Sequence, residues 1–99
     1  MKVPHDLFLG FVKLHILYHA GREPVYGLWL IEELAVHGYR LSPGTLYPIL
    51  HGLQAEKLLT SETRVVEGKV RKYYRLTSAG RKALEQGKIK AQELLEELQ

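Results

Sequence analysis

The 99-residue sequence contains no cysteine. That removes disulfides, thiolate nucleophiles and Cys-ligated zinc at once, and it agrees with a cytosolic protein, although a lack of cysteine does not by itself define the compartment. Long apolar runs are also missing. Residues 7–12 are mostly apolar, but Asp6 and Lys13 bracket them. The run is too short to span a bilayer and has no small-residue cleavage site, so neither an anchor nor a signal peptide is expected. There is no internal repeat and no low-complexity segment. A hydrophobic content of 45% with 25% charged residues is that of an ordinary folded domain. At this length the chain supports one core.

The net charge is only +3, but it is unevenly spread. Residues 60–82 carry seven basic side chains (Arg64, Lys69, Arg71, Lys72, Arg75, Arg81, Lys82) against Glu62 and Glu67, a net of +5. Residues 83–99 carry Lys88 and Lys90 against Glu85, Glu93, Glu96 and Glu97, a net of −2. A focused positive field beside an acidic tail fits a polyanionic partner. A solvated, charged hairpin fits it equally well.

The spacing of apolar residues predicts helices over Asp6–Ala20, Val25–Val36 and the stretch behind Ser42, then a hairpin, then a last helix toward Gln99. Asp6 is the expected cap of the first helix and Gly21 its stop. The apolar side of that helix runs Leu7, Phe11, Leu14 and Tyr18, widened by Phe8, Val12 and Ile16. In the second helix Gly27, Leu30, Ile31 and Leu34 form the inner face, ended by Gly38.

Ser42-Pro43-Gly44-Thr45 starts the third helix, with Ser42 as N-cap and Pro43 at its first position. Leu46, Ile49, Leu50 and Leu53 form its buried face, which leaves Gly44, Thr45, Tyr47, Pro48, His51 and Gln54 at the front. Pro48 removes a bond to the Gly44 carbonyl, a structural effect rather than a contact. Residues 59–66 and 70–76 have strand composition and are joined by Glu67-Gly68-Lys69. On the return strand Tyr74 and Leu76 face the core, and Arg71, Tyr73 and Arg75 face away. Thr77 caps the last helix, where Leu84, Ala91 and Leu98 recur every seven residues with Leu94 and Leu95 between them. Little core remains for that helix to cover, so its stripe is expected to meet a second chain. Gly80 and Gly87 each weaken it by about 1 kcal/mol relative to alanine, so it depends on packing. The expected fold is mostly α (α+β): a winged helix-turn-helix over residues 1–77 with a two-stranded β wing, and a C-terminal dimerisation helix over residues 78–99.

The chain resembles the PadR family of bacterial transcriptional regulators, over nearly its whole length. The resemblance rests on Tyr26-Gly27, on Ser42-Pro43-Gly44-Thr45-Leu46-Tyr47-Pro48-Ile49-Leu50-His51-Gly52-Leu53, and on Arg71-Lys72-Tyr73-Tyr74-Arg75-Leu76-Thr77-Ser78-Ala79-Gly80-Arg81, all in register. The single short C-terminal helix is similar to the smaller branch of the family. The resemblance implies a homodimeric repressor bound to an inverted-repeat operator in double-stranded DNA, which suits the cytoplasmic location expected from composition. It also implies that Ser42, Gly44, Thr45 and Tyr47 meet the major groove, that Tyr26 and Gly27 approach the backbone, and that Lys69, Arg71 and Lys72 of the wing contact phosphate or the minor groove. One departure is Ala55-Glu56-Lys57-Leu58, which lacks the glycine usual in the family before the first strand. Lys57 is therefore expected in a less favourable turn conformation.

These residue types suit DNA. A major groove about 12 Å wide accepts a helix whose tip carries small residues. No Arg, Asn or Gln lies near the start of the third helix to make a bidentate base contact. Direct readout is then modest, backbone contact and DNA shape contribute, and affinity falls steeply with salt. Phe8, Phe11, Leu84, Ala91, Leu94, Leu95 and Leu98 are the expected dimer contacts.

The family resemblance also raises a small aromatic or hydrophobic effector, since relatives respond to phenolic acids or drugs. Phe8, Phe11 and Trp29, with Leu94 and Leu95, are candidates to line such a cavity, although plain dimer core is the favoured reading of them, since aromatics chiefly supply buried area. No cofactor is expected. His15 and His19 stand four residues apart, close enough for one metal to bridge, with His5, His37, His51 or a glutamate as third ligand. Without cysteine or an HExxH pattern no metal site is assigned. Ser42, Ser61 and Ser78 have no visible base, so catalysis is not expected. The rival reading is a winged-helix protein–protein interaction module that does not bind DNA.

Overall fold

The computed structural model describes residues 6–99. The elements run α1 (Leu9–Arg22), β1 (Val25–Tyr26), α2 (Gly27–Val36), α3 (Pro43–Ala55), β2 (Leu59–Val66), β3 (Lys69–Leu76) and α4 (Ser78–Leu98). The winged-helix expectation holds, with one addition. Val25 and Tyr26 pair antiparallel with Tyr74 and Tyr73, so the wing belongs to a three-stranded sheet ordered β1-β3-β2 rather than standing as a two-stranded hairpin. Two residues are too few to show a periodicity, which is why the sequence alone assigns them to the start of α2.

The first helix differs from expectation at both ends. It starts at Leu9, with Phe8 at the N-cap and no side-chain cap, and residues 6–8 form a turn ahead of it. It runs through Gly21 to Arg22 and stops where Pro24 holds Glu23 extended, at φ −164° and ψ 162°. Gly21 serves contact rather than termination: a Cβ there would stand 2.8 Å from Leu76 Cδ2 of β3. The buried face of α1 is Val12, Ile16, Leu17 and Ala20. The stripe expected to be inner leaves Leu7, Phe11 and Tyr18 exposed. Both sides of this helix are apolar, and the sheet and α2 select the first of them.

The core gathers those four residues with Val25, Leu30, Leu34, Leu41, Leu46, Leu50, Leu53, Leu59 and Tyr74, all nearly inaccessible to solvent. Tyr74 lies fully within it, as expected, and its hydroxyl has no hydrogen-bond partner among the described residues.

Two helices end in the same way on different residues. At the end of α2 the Tyr39 N–H donates to the Leu34 carbonyl and Gly38 takes φ 88°. At the end of α3 the Leu58 N–H donates to the Leu53 carbonyl, and Lys57 takes φ 64° in the equivalent place. Both are Schellman turns, and only the second places a side chain in the left-handed region. The Thr77 hydroxyl then donates to the Lys57 carbonyl at 2.6 Å and accepts from the Gly80 N–H at 2.9 Å. The expected α4 cap therefore also ties the start of α4 to the end of α3.

The glycines of α4 sit where other elements touch it. A Cβ at Gly80 would collide with the Leu58 carbonyl, and one at Gly87 with Leu14 of α1. Packing thus uses the positions that weaken the isolated helix. Beyond them Ile89, Leu94, Leu95 and Leu98 remain exposed, while Leu84 turns toward the core. Among the described residues no helix is long and apolar enough to cross a membrane.

Candidate nucleic-acid interface

The wing is a regular hairpin in which Leu59 through Val66 pair with Leu76 through Lys69. Its turn is two residues long, because Lys69 already pairs with Val66 and is not part of the loop. Glu67 and Gly68 both have positive φ, 51° and 76°, the combination that matches strand twist in a two-residue turn.

That register divides the basic residues between two faces. Lys69, Arg71, Tyr73 and Arg75 lie on one face with Glu62 and Arg64, and Lys72 lies on the other with Tyr74. On the first face the Arg71 guanidinium sits 4.2 Å from the ring centre of Tyr26. Tyr26 meets Tyr73 edge-on at 5.5 Å, and Arg64 stacks on Tyr73 at 4.5 Å. Cation, ring, ring and cation therefore run across all three strands. Tyr26 is held beneath the wing, partly exposed, rather than anchored in the core.

Nearer the base of the hairpin, Glu62 accepts from Arg64 at 2.8 Å and from Arg75 at 3.0 Å. These bonds, Arg64 first, hold its carboxyl below the ordinary range. Arg71 has no such carboxylate among the described contacts, and its bond to Tyr73 further favours its charged form. Arg64 and Glu62 join this face of the wing, although neither was singled out as a DNA contact from the sequence. Counting back from the turn would have found Arg64, which pairs directly with Arg71.

The third helix presents its front beside the wing. Ser42 is the N-cap residue, but its side chain caps no backbone group; its hydroxyl donates instead to Thr45 Oγ1 at 3.3 Å. Among the described residues no side chain caps the first turn of α3, where the positive end of the helix dipole lies. Ser42 and Gly44 are exposed and Thr45 is partly so. Tyr47 leans away from this tip, back over α2. A Cβ at Gly27 would collide with the Tyr47 hydroxyl.

Tyr26, Gly27, Tyr47, Arg71 and Lys72 consequently line one cleft of about 190 Å³, together with Leu28 and Val70. Of the nine residues expected to meet DNA, five share this cleft. Ser42, Gly44 and Thr45 stand at the tip of α3, and Lys69 stands exposed beside the wing turn. The family model described as the transcriptional regulator PadR-like family matches residues 16–86. The chain belongs to that family.

PadR-like relatives agree in sequence and in fold. The transcriptional regulator Rv3488 of Mycobacterium tuberculosis is 55% identical over 87 residues, covering 88% of this chain and 81% of the relative. A PadR-like transcriptional regulator from Bacillus cereus superposes with a TM-score of 0.85 at 33% identity, over 94% of this chain and 92% of that one. A PadR family regulator from Eggerthella lenta gives 0.83 at 34% identity, over 94% and 82%. Membership makes this PadR-like chain a transcriptional regulator in kind.

The remaining candidates separate in space. Phe8 and Phe11 lie 6.0 Å apart at the start of α1. Phe11 lines an apolar cleft of about 380 Å³ with Leu7, Leu14, Ala91 and Leu94. Trp29 lies elsewhere, edge-on to His19 at 5.3 Å, and does not line that cleft. His5 lies outside the described residues. His51 is on α3 near Tyr47, while His37 reaches His15, with ring centres 4.5 Å apart.

Proposed function

We propose that this PadR-like chain is a sequence-specific, DNA-binding repressor that acts as a homodimer on an inverted-repeat operator. The cleft that joins Tyr26, Gly27, Tyr47, Arg71 and Lys72 is the observation that carries this reading. Two tyrosines and two cations from three elements line it, one of them Tyr47 on α3 itself. Ser42, Gly44, Thr45 and Tyr47 enter the major groove. Tyr26 and Gly27 meet the sugar–phosphate backbone, and Lys69, Arg71 and Lys72 follow the phosphates from the wing. In this reading residues 1–77 form the DNA-binding part and residues 78–99 the dimerisation helix.

The dimer seam uses Phe8, Phe11, Ala91, Leu94, Leu95 and Leu98, with Leu84 at its inner edge. The exposure of Leu94, Leu95 and Leu98 on one helix supports it. A small aromatic effector would occupy the apolar cleft around Phe11 next to that seam. Trp29 has no part in that cleft.

Selection from a random duplex pool at physiological salt tests the reading. An enriched inverted repeat is the expected result. Binding without enrichment would leave non-specific DNA coating, and no binding would favour a protein–protein interaction module. With the operator in hand, Thr45→Ala and Tyr47→Ala should each weaken binding and leave the dimer intact.

A further inference from the structure

The candidate DNA contacts leave one cluster unused, at the other end of α2. His15 and His19 of α1 meet His37, the residue that ends α2, so that three imidazoles from two elements offer ligand atoms all within 4.8 Å of one another. Glu33, one turn back from His37, directs Oε2 to the same place, 3.2 Å from His37 Nε2 and 3.7 Å from His19 Nε2. Neighbouring ligand atoms around a tetrahedral zinc are about 3.3 Å apart, given metal–ligand distances near 2.0–2.1 Å. Closing this group on an ion therefore takes side-chain adjustments of under about 1 Å.

We propose that His15, His19, His37 and Glu33 form a binding site for one divalent transition metal ion of the zinc class. Three imidazoles and one carboxylate match the ligand preference of Zn²⁺ and its first-row neighbours. The single carboxylate offsets part of the ion's charge, against opposition from Lys88 at the rim of the adjoining cleft and from Arg22, whose charge reaches His19. His15 and His19 are partly buried, and that burial depresses their protonation, with His37 adding to it and Glu33 opposing it. That favours the neutral imidazole, the state that has a lone pair to donate. Tyr39 packs on His15 at 5.5 Å and Tyr18 on His19 at 5.0 Å, which restricts both rings.

An ion here would clamp α1 to the end of α2, immediately before the turn that leads to α3. It would do so whether or not the chain binds DNA, so the site and the DNA reading stand or fall separately.

Trp29 is the single tryptophan and lies against His19, so its fluorescence reports on the site. The test is a Zn²⁺ titration of EDTA-treated, dialysed protein, followed by Trp29 fluorescence and calorimetry, with a thermal melt at saturation. The expected result is one Zn²⁺ per chain, a raised melting temperature, and at least a tenfold loss of affinity in His37→Gln and in His19→Gln. Co²⁺ in place of Zn²⁺ should give the visible absorption of a tetrahedral site. The proposal is overturned if the wild type binds no Zn²⁺, or if His37→Gln and His19→Gln bind it as the wild type does. His37 is exposed, so its variant is expected to fold and decides the matter even if His19→Gln does not.

Discussion

The hydroxyl of Tyr47 on α3 rests over the backbone of Gly27, the first residue of α2, so closely that no side chain fits between them. The contact sets the spacing between the tip of α2 and the front of α3, and it orients a ring that is 38% exposed. Gly27→Ala should displace the Tyr47 ring, whose exposed end can move, and so cost under about 1 kcal/mol in stability. If the cleft meets DNA, operator affinity should fall about tenfold, the equivalent of one well-made contact. Thermal melts together with fluorescence anisotropy on the selected operator would separate the two effects.

Glu62 restrains two of the wing's arginines. In Glu62→Gln, Arg64 and Arg75 lose a charged partner and the wing gains a unit of positive charge. Affinity for duplex DNA should rise several-fold, with the larger gain at low salt. The acid side has a defined sign. Because the folded carboxyl titrates below its ordinary value of 4.5, its pairing contributes constant stability above that pH. The contribution is lost as pH falls through the lowered folded value. Melts from pH 6 to pH 3 should therefore show a smaller acid-induced loss in Glu62→Gln than in wild type.

Lys57 occupies a position made for glycine, as the equivalent Gly38 shows. Lys57→Gly should relieve left-handed strain, less the extra chain entropy that glycine loses on folding. A net stabilisation of about 0.5–1 kcal/mol is expected, which for a domain of this size raises the melting temperature by about 3–6 °C. An unchanged or lowered midpoint would contradict it.

Gly80→Ala should act in the opposite direction. Its new Cβ meets the Leu58 carbonyl, a backbone atom that cannot swing aside. Destabilisation of about 1–3 kcal/mol, read from denaturant midpoints, is expected.

Leu94→Asp tests the proposed seam. The residue is 45% exposed and lies outside the buried core, so the fold should survive. Monomers by analytical ultracentrifugation, with much weaker operator binding, are the expected result. A variant that still dimerises would place the seam elsewhere.

Local chemistry accounts for what could be read directly from the chain. Thr77 as a cap, Tyr74 as core and a turn at Gly68 all depend on side-chain type and near neighbours, and these are visible in sequence, whereas the left-handed Lys57 followed from the family resemblance and the two-residue length of the turn from the strand register. The front of α3 was equally legible, because Leu46, Leu50 and Leu53 define its back.

Other features depend on which elements meet. The apolar faces of α1 are nearly equivalent in composition, and contact with the sheet and α2 chose Val12, Ile16, Leu17 and Ala20. Strand β1 exists because Tyr73 and Tyr74 offer an edge to Val25 and Tyr26, not because two residues have strand propensity. The tying of Arg64 and Arg75 to Glu62 follows from the strand register. His37 could be named from sequence only as one of several third partners for His15 and His19. Choosing it required the end of α2 to be laid against α1, a long-range packing outcome that no local periodicity encodes.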